Sequence, residues 1–271
     1  MARGQRELVA VAAIPVLAGT IIWLPAWVFL AVLGAAVAVA CDELLSMARG
    51  AGFAVGRWLP MALVAGVMAT SWVYGVAGLA AAVIAVLVIL PTARLADRQA
   101  PAGSFGGIAA ESFSVLYLGV TTACFGWLRL WPGEPAGVKL LLLYLACIWI
   151  GDSGAYYVGK NFGRHKMSPR ISPNKTLEGL AGGVVTTFLA AAGMAWALSL
   201  EVAPVHVAAL AAILAVTAPL GDLVESLFKR DTGVKDSSAL LPGHGGFLDR
   251  TDSLIYPAPF VVAYLVVVGL A

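Results

Sequence analysis

The chain has 271 residues, 61% hydrophobic and only 12% charged, about half the roughly 25% charge of a soluble domain. Its apolar runs reach the ~20 residues that cross a bilayer as a helix. The run "AAAVIAVLVIL" at 80–90 lacks the period-two alternation of a barrel strand, which excludes a transmembrane β-barrel. A formal net charge of +2 leaves no footprint for a nucleic-acid partner, so the expected fold is all-α, a polytopic integral membrane protein.

In chain order, "MARGQRELVAVAAIPVLAGTIIWLP" has a basic flank and an apolar stretch. More apolar runs follow and no small-x-small cleavage site ends it, so it reads as a first membrane helix rather than a signal peptide. Polar and Gly/Pro-rich breaks then divide the chain into about nine transmembrane helices. Their cores fall at 8–24, 26–45, 58–74, 76–91, 109–130, 138–158, 176–199, 204–222 and 252–271. No connection is long enough for a soluble domain. The expected organisation is a single membrane-embedded domain, 1–271, with N-terminal helices over 1–130 and catalytic helices and loops over 131–271. Cys41, Cys124 and Cys147 stand alone in apolar segments and read as small packing residues.

The basic residues orient the chain. With nine spans, one face receives the N-terminus and the loops near 46–57, 92–108, 159–175 and 223–251, with 15 of the 17 Lys and Arg; the other receives Arg129 and Lys139. The positive-inside rule puts the crowded face in the cytoplasm. Asp42, Glu43 and Asp97 read as interfacial charges, and Glu111 as a carboxylate facing the interior. Asp152 follows "CIWIG" inside an apolar span, where a carboxylate is costly unless it is used. Next, "SPRISPNKTLEG" carries Pro169 and Pro173 before a helix. Asn174 is the expected cap, with Lys175 at the positive helix end as a phosphate contact. Gly179 and Gly183 have the spacing of a small-residue helix contact.

Two further stretches concentrate polar chemistry. In "GDLVESLFKR", Asp222, Glu225 and Lys229 fall on one helix face, a cation site beside a phosphate contact; a hydrated Mg²⁺ needs one or two carboxylates. The stretch "SLFKRDTGVKDSSALLPGHGGFLDRTD", 226–252, sets Lys229, Arg230, Lys235 and Arg250 against Asp231, Asp236, Asp249 and Asp252, with His244 among glycines. The glycines can expose backbone N–H groups to an anion. His244 can donate to phosphate or act as acid or base, and Asp249 and Asp252 lie one turn apart at a helix start. A transporter is the rival class, but it predicts charges through the spans toward both faces and an inverted repeat, and neither is visible.

Read as S-x-x-K-R-x4-K-D-x-S-x2-L-P-x-H-G-G-x2-D-R-x-D, the 226–252 stretch resembles the signature of the CDP-diacylglycerol synthases, or phosphatidate cytidylyltransferases, at every specified position. "GDSGAYYVGKNFGRHKMSPRISPNKTLEG" is similar to the same family's second polar region. Together these cover about the last 120 residues. The resemblance implies a Mg²⁺-dependent nucleotidyltransferase of phospholipid biosynthesis that converts CTP and phosphatidic acid to CDP-diacylglycerol and pyrophosphate. The alternative is a CTP-dependent kinase or cytidylyltransferase acting on another membrane lipid, such as a polyprenol or ether lipid.

Under this reading Asp249, Asp222, Lys229 and His244 are catalytic. Asp222 and Asp249 are the principal carboxylates of one Mg²⁺ site, with Asp152 and Glu225 as additional ligands and room for a second cation. Lys175, Asn174, Ser226, Arg230, Lys235, Gly245, Gly246 and Arg250 bind substrate. The partners are CTP, phosphatidic acid and membrane lipids, and a homodimer is compatible with the reading. The implied location is the bacterial inner (cytoplasmic) membrane, with the N-terminus and active-site loops in the cytoplasm.

Overall fold

The computed structural model describes residues 17–96, 102–130, 133–240 and 245–270. Arg3, Arg6, Asp97, Arg98 and His244, which entered the sequence reading, lie outside the described residues. Helix α1 is described over 17–23. The helices that follow are α2 (Ala26–Gly50), α3 (Trp58–Leu95), α4 (Ser104–Leu130) and α5 (Ala136–Phe162). A short antiparallel hairpin, β1 (Lys166–Ser168) and β2 (Ser172–Thr176), precedes α6 (Leu177–Ala197), α7 (Pro204–Asp231), α8 (Leu248–Ile255) and α9 (Ala258–Val267). Among the described residues the fold is all-α apart from that hairpin, which forms where the sequence shows only a polar loop.

Among the described residues six helices, α2 to α7, are long and apolar enough to cross a membrane. They leave large apolar side chains such as Val73, Ile84, Val88 and Leu189 exposed, a surface that suits lipid and not water. The chain is an integral membrane protein. The expected nine crossings are not established: α1 is described only in part, and the last expected span is broken at Pro257 into α8 and α9, each too short to cross alone.

By contact density the chain divides into two units. One comprises Met1–Pro15, Pro25–Trp127 and Lys229–Thr251; the other Val16–Leu24, Leu128–Phe228 and Asp252–Ala271.

In the first unit, α3 is the defining element. Straight, its 38 residues would measure about 57 Å. Arg94, near its end, nevertheless donates to the carbonyl of Ala54, just before its start, so the helix must double back. The reversal is at Gly75, whose φ of 62° and ψ of −142° leave the helical region; a positive φ is accessible to glycine without the Cβ penalty. A Cβ on Gly78 would strike the Thr70 carbonyl, so the two arms are tightly apposed. Gly75 thus separates the segments 58–74 and 76–91 that the hydropathy pattern reads as two spans. Trp127 and Trp72 fasten α3 to α4, donating to the carbonyls of Ser71 at 3.2 Å and Ala123 at 3.1 Å.

In the second unit, α5 and α6 approach through glycine. A Cβ on Gly154 would collide with Thr186, and one on Gly182 would sit 2.5 Å from Val158. Without a Cβ at these points the helix axes close up, as small residues allow between membrane helices. Buried Tyr144 of α5 donates its hydroxyl to the Leu254 carbonyl at 2.7 Å, and His206 and Tyr264 hydrogen-bond at 2.7 Å, tying α5 and α7 to the last helices.

Replacing Gly182 with leucine should overpack this contact, at a cost of about 1–3 kcal/mol, and lower the thermal midpoint of the detergent-solubilised protein. Gly193→Ala, on the same helix with nothing within 4 Å of its added Cβ, should leave the midpoint within error or raise it. Equal effects at the two positions would overturn the packing assignment.

Candidate active site

The second unit holds a cavity of about 630 Å³ walled by α5, the β-hairpin, α6 and α7. Its charged lining is Asp152, Lys160, Lys166, Lys175 and Asp222. Asp152, Tyr156 and Lys160 repeat every four residues along α5 and so form one stripe; the Lys160 ammonium lies 5.7 Å from the Tyr156 ring centre. Lys166 arrives by strand pairing, which sets it opposite Thr176. The sequence reading counted Lys160 and Lys166 only as topological charges. The four-residue spacing was a readable sign for Lys160, whereas Lys166 depends on the hairpin.

The hairpin also corrects the helix cap. Pairing keeps 172–176 extended, so α6 starts at Leu177 and its cap is Thr176, whose Oγ1 accepts from the Gly179 N–H at 3.1 Å. Asn174 lies in β2 and lines the cavity instead. Glu178, in the first turn of α6, accepts from the backbone N–H groups of Arg164 at 3.0 Å and His165 at 3.2 Å, while the Leu177 N–H donates to the His165 carbonyl at 2.9 Å. These bonds hold the hairpin to the helix it precedes and carry Lys175 into the cavity. There its ammonium meets Asp222 Oδ2 at 2.8 Å and the Pro219 carbonyl at 3.3 Å. The Ser226 hydroxyl donates to Asp222 Oδ1 at 3.2 Å, so Ser226 touches the carboxylate expected to hold metal. Glu225, one residue before it, is 1% exposed.

In the first unit the described residues of 229–240 and 245–251 form a second polar cluster. The Lys229 ammonium pairs with Asp249 Oδ1, and both side chains are nearly buried. Asp249 Oδ2 accepts from the Gly246 N–H at 2.7 Å, the Ser237 N–H at 2.9 Å and the Ser237 hydroxyl at 3.1 Å. The Gly246 N–H, expected in an anion cradle, is thus directed at a carboxylate of the chain itself. Gly245 has φ 77°, and a Cβ there would meet Asp249 Oδ2 at 2.6 Å; the glycines make room for carboxylates. Glu43 joins this cluster as an acceptor for Ser237, Ser238, Phe247 and Leu248. The sequence reading placed Glu43 at the interface; its neighbour Asp42 does pair at the surface, with Arg57 at 2.8 Å. Arg230, Lys235 and Arg250 are exposed. Glu111, expected in the interior, is buried and binds Arg94 at 2.8 Å.

Among the described residues no three or more His, Cys, Asp and Glu gather as a metal-binding group. A hydrated Mg²⁺ asks for less, one or two carboxylates with water and phosphate oxygens completing the shell. Asp152 and Asp222, on the wall of one cavity and within electrostatic range of one another, fit that requirement. Asp249 Oδ2 already accepts two backbone N–H groups, those of Ser237 and Gly246, and lies within reach of the Ser237 hydroxyl.

Thr176→Ala should cost about 0.5–2 kcal/mol of stability and speed amide exchange in the first turn of α6, while Thr176→Ser should restore both. Unchanged exchange at Gly179 in the alanine variant would remove Thr176 as the cap.

A sequence model of the cytidylyltransferase family matches residues 4–268. The chain is 46% identical over 132 residues to a phosphatidate cytidylyltransferase of Synechocystis, covering 49% of this chain and 45% of that protein. It is 37% identical over 188 residues to the phosphatidate cytidylyltransferase of Bacillus subtilis, covering 69% and 68%, and 39% identical over 153 residues to that of Staphylococcus saprophyticus, covering 56% and 57%. With the match running almost end to end and both polar regions inside it, the chain belongs to the cytidylyltransferase family.

Proposed function

We propose that the protein is a phosphatidate cytidylyltransferase, a nucleotidyltransferase of phospholipid biosynthesis acting on CTP and phosphatidic acid. The observation that carries this reading is the cavity of the second unit, where Lys160, Lys166 and Lys175 face Asp152 and Asp222 on an integral membrane scaffold. Phosphatidate cannot leave the bilayer and CTP cannot enter it, so a charged cavity framed by membrane helices suits the pair. The relatives in Synechocystis and Bacillus subtilis are both phosphatidate cytidylyltransferases by name, which supports the reading.

In the reaction a phosphate oxygen of phosphatidate attacks the α-phosphorus of CTP. A new phosphorus–oxygen bond forms, the bond to the bridging oxygen breaks, and pyrophosphate leaves with its electron pair. Protein groups have little covalent chemistry to perform, so positioning and charge neutralisation supply the rate. Lys160, Lys166 and Lys175 neutralise phosphate oxygens, and the Lys175–Asp222 contact aims the ammonium before substrate arrives. Bound Mg²⁺ would supply Lewis-acid stabilisation of the phosphates, and Asp222 and Asp152 are the residues that would hold it. Asp249 is assigned to metal by the motif alone, since its oxygens are engaged by Lys229, Ser237 and Gly246. Arg230, Lys235 and Arg250, exposed, are the remaining phosphate contacts of this reading, and His244 keeps its role from the motif.

Purified protein in detergent should release pyrophosphate from CTP when phosphatidate and Mg²⁺ are present. Lys175→Ala and Asp222→Asn should each lower turnover by roughly 10²–10³-fold, the scale of losing a preorganised charge contact, with the protein still folded. No pyrophosphate release with phosphatidate, or release only with a polyprenol, would overturn the assignment.

The orientation belongs to the same proposal: N-terminus and polar loops in the cytoplasm of a bacterial inner membrane, supported by the 15-to-2 division of Lys and Arg under a nine-span count. Reporter fusions at the two termini should report opposite sides. Both on one side would overturn the odd number of crossings.

A further inference from the structure

Glu43 lies on α2, a helix otherwise apolar for most of its length, and its side chain is nearly buried at 6% exposure. Four donors converge on its carboxylate. Oε1 accepts from the Ser238 hydroxyl at 2.6 Å and the Phe247 N–H at 2.9 Å. Oε2 accepts from the Leu248 N–H at 2.7 Å and the Ser237 hydroxyl at 3.0 Å. Two of these donors lie at 237–238 and two at 247–248, so one side chain on a membrane helix holds both stretches.

The carboxylate also meets the N-terminus of α8, where unpaired N–H groups and the helix dipole favour a negative charge. Caps of this kind usually come from the residue just before the helix; here the acceptor comes from roughly two hundred residues earlier in the chain. Gly246 is shaped to the contact, since a Cβ there would stand 2.7 Å from both Glu43 oxygens. The same network reaches Asp249. Ser237 Oγ stands 3.0 Å from Glu43 Oε2 and 3.1 Å from Asp249 Oδ2, so its one hydroxyl proton serves one of the two carboxylates at a time.

We infer that Glu43 is a positioning residue for cytidylyl transfer: its carboxylate fixes the conformation of the segment that carries Asp249 and Arg250. This rests on the function proposed above. Glu43 acts through its donors Ser237, Ser238, Phe247 and Leu248.

The geometry makes glutamine an informative replacement. Serine hydroxyls can rotate, but the Phe247 and Leu248 N–H groups cannot, and each points at a different oxygen of Glu43. Whichever way a glutamine amide lies, its NH₂ faces one of those N–H donors. Glu43→Asp keeps both acceptors on a side chain one methylene shorter, and Ser238→Ala removes one donor while leaving the carboxylate.

The test uses the full chain in detergent, with amide hydrogen exchange across 245–250 and steady-state turnover of CTP and phosphatidate at matched folded protein. In Glu43→Gln, exchange at Phe247 and Leu248 should rise at least about tenfold, and kcat should fall on the order of 10- to 100-fold, the scale of a small misplacement of reacting groups. The KM for CTP should change less than kcat. Glu43→Asp should recover part of the kcat, and Ser238→Ala should shift exchange and kcat in the same direction as Glu43→Gln by a smaller factor. Wild-type exchange at Phe247 and Leu248 in Glu43→Gln would overturn the inference, as would wild-type kcat. If Glu43→Gln does not fold, the same readings on Ser238→Ala decide: no change in either overturns it. A wild-type protein without phosphatidate-dependent turnover would instead overturn the proposed function, and the exchange measurement would still decide whether Glu43 sets this segment.

Discussion

A carboxylate removed from water must be met by donors or it is too costly to keep charged, and in a chain with this little charge each such carboxylate organises what surrounds it. Glu43 gathers two serines and two backbone N–H groups. Asp249 gathers Lys229, Ser237 and Gly246. Glu111 gathers Arg94 and the Gly56 N–H. All three belong to the first unit; Glu43 joins parts of the chain about two hundred residues apart, whereas Asp249 closes a local loop. Charge-assisted hydrogen bonds to such groups are worth about 1.5–3 kcal/mol each, and removing one partner leaves the other group unpaired at similar cost. Each of these contacts therefore contributes strongly to holding the polar segments of this unit.

Glycine serves a complementary purpose. Where helices must approach, as α5 and α6 do at Gly154 and Gly182, a Cβ would collide with the facing side chain. Where the chain must turn, as at Gly75, a positive φ is required. Beside the buried carboxylates, Gly245 and Gly246 leave room for oxygen atoms. The 30 glycines of the sequence thus include several with distinct duties, and the motif glycines of the 226–252 stretch belong with the carboxylate contacts.

In the second unit the chemistry is assembled differently. The β-hairpin, fastened by Glu178 to the start of α6, brings Lys166 and Lys175 to the cavity that Asp152, Lys160 and Asp222 line from the helices. Because the hairpin is tied to α6, its lysines meet the carboxylates of the long helices at fixed positions, as Lys175 does Asp222 at 2.8 Å. Under the proposed function, transfer of a nucleotide between phosphates needs a fixed pattern of charge more than it needs a nucleophile or a base.

Composition and apolar run length alone determined that this is an all-helical integral membrane protein, because the cost of unpaired backbone in lipid leaves few alternatives. The two polar regions, and the family they belong to, were legible as residue types at fixed spacing. So was the break at Gly75, where two apolar runs meet at a glycine. The tertiary structure decided what spacing cannot encode, namely which residues far apart in the chain share a contact. Glu43 reads in sequence as one of two adjacent interfacial acids, and only the contacts of Ser237, Ser238, Phe247 and Leu248 with it separate it from Asp42. Lys166 became a cavity residue, and Thr176 in place of Asn174 became the cap, because strand pairing, a non-local interaction, holds 172–176 extended. Periodicity reports which face of an element is apolar; it carries no information about the partner that a buried charge finds on another element, since that partner is selected by packing.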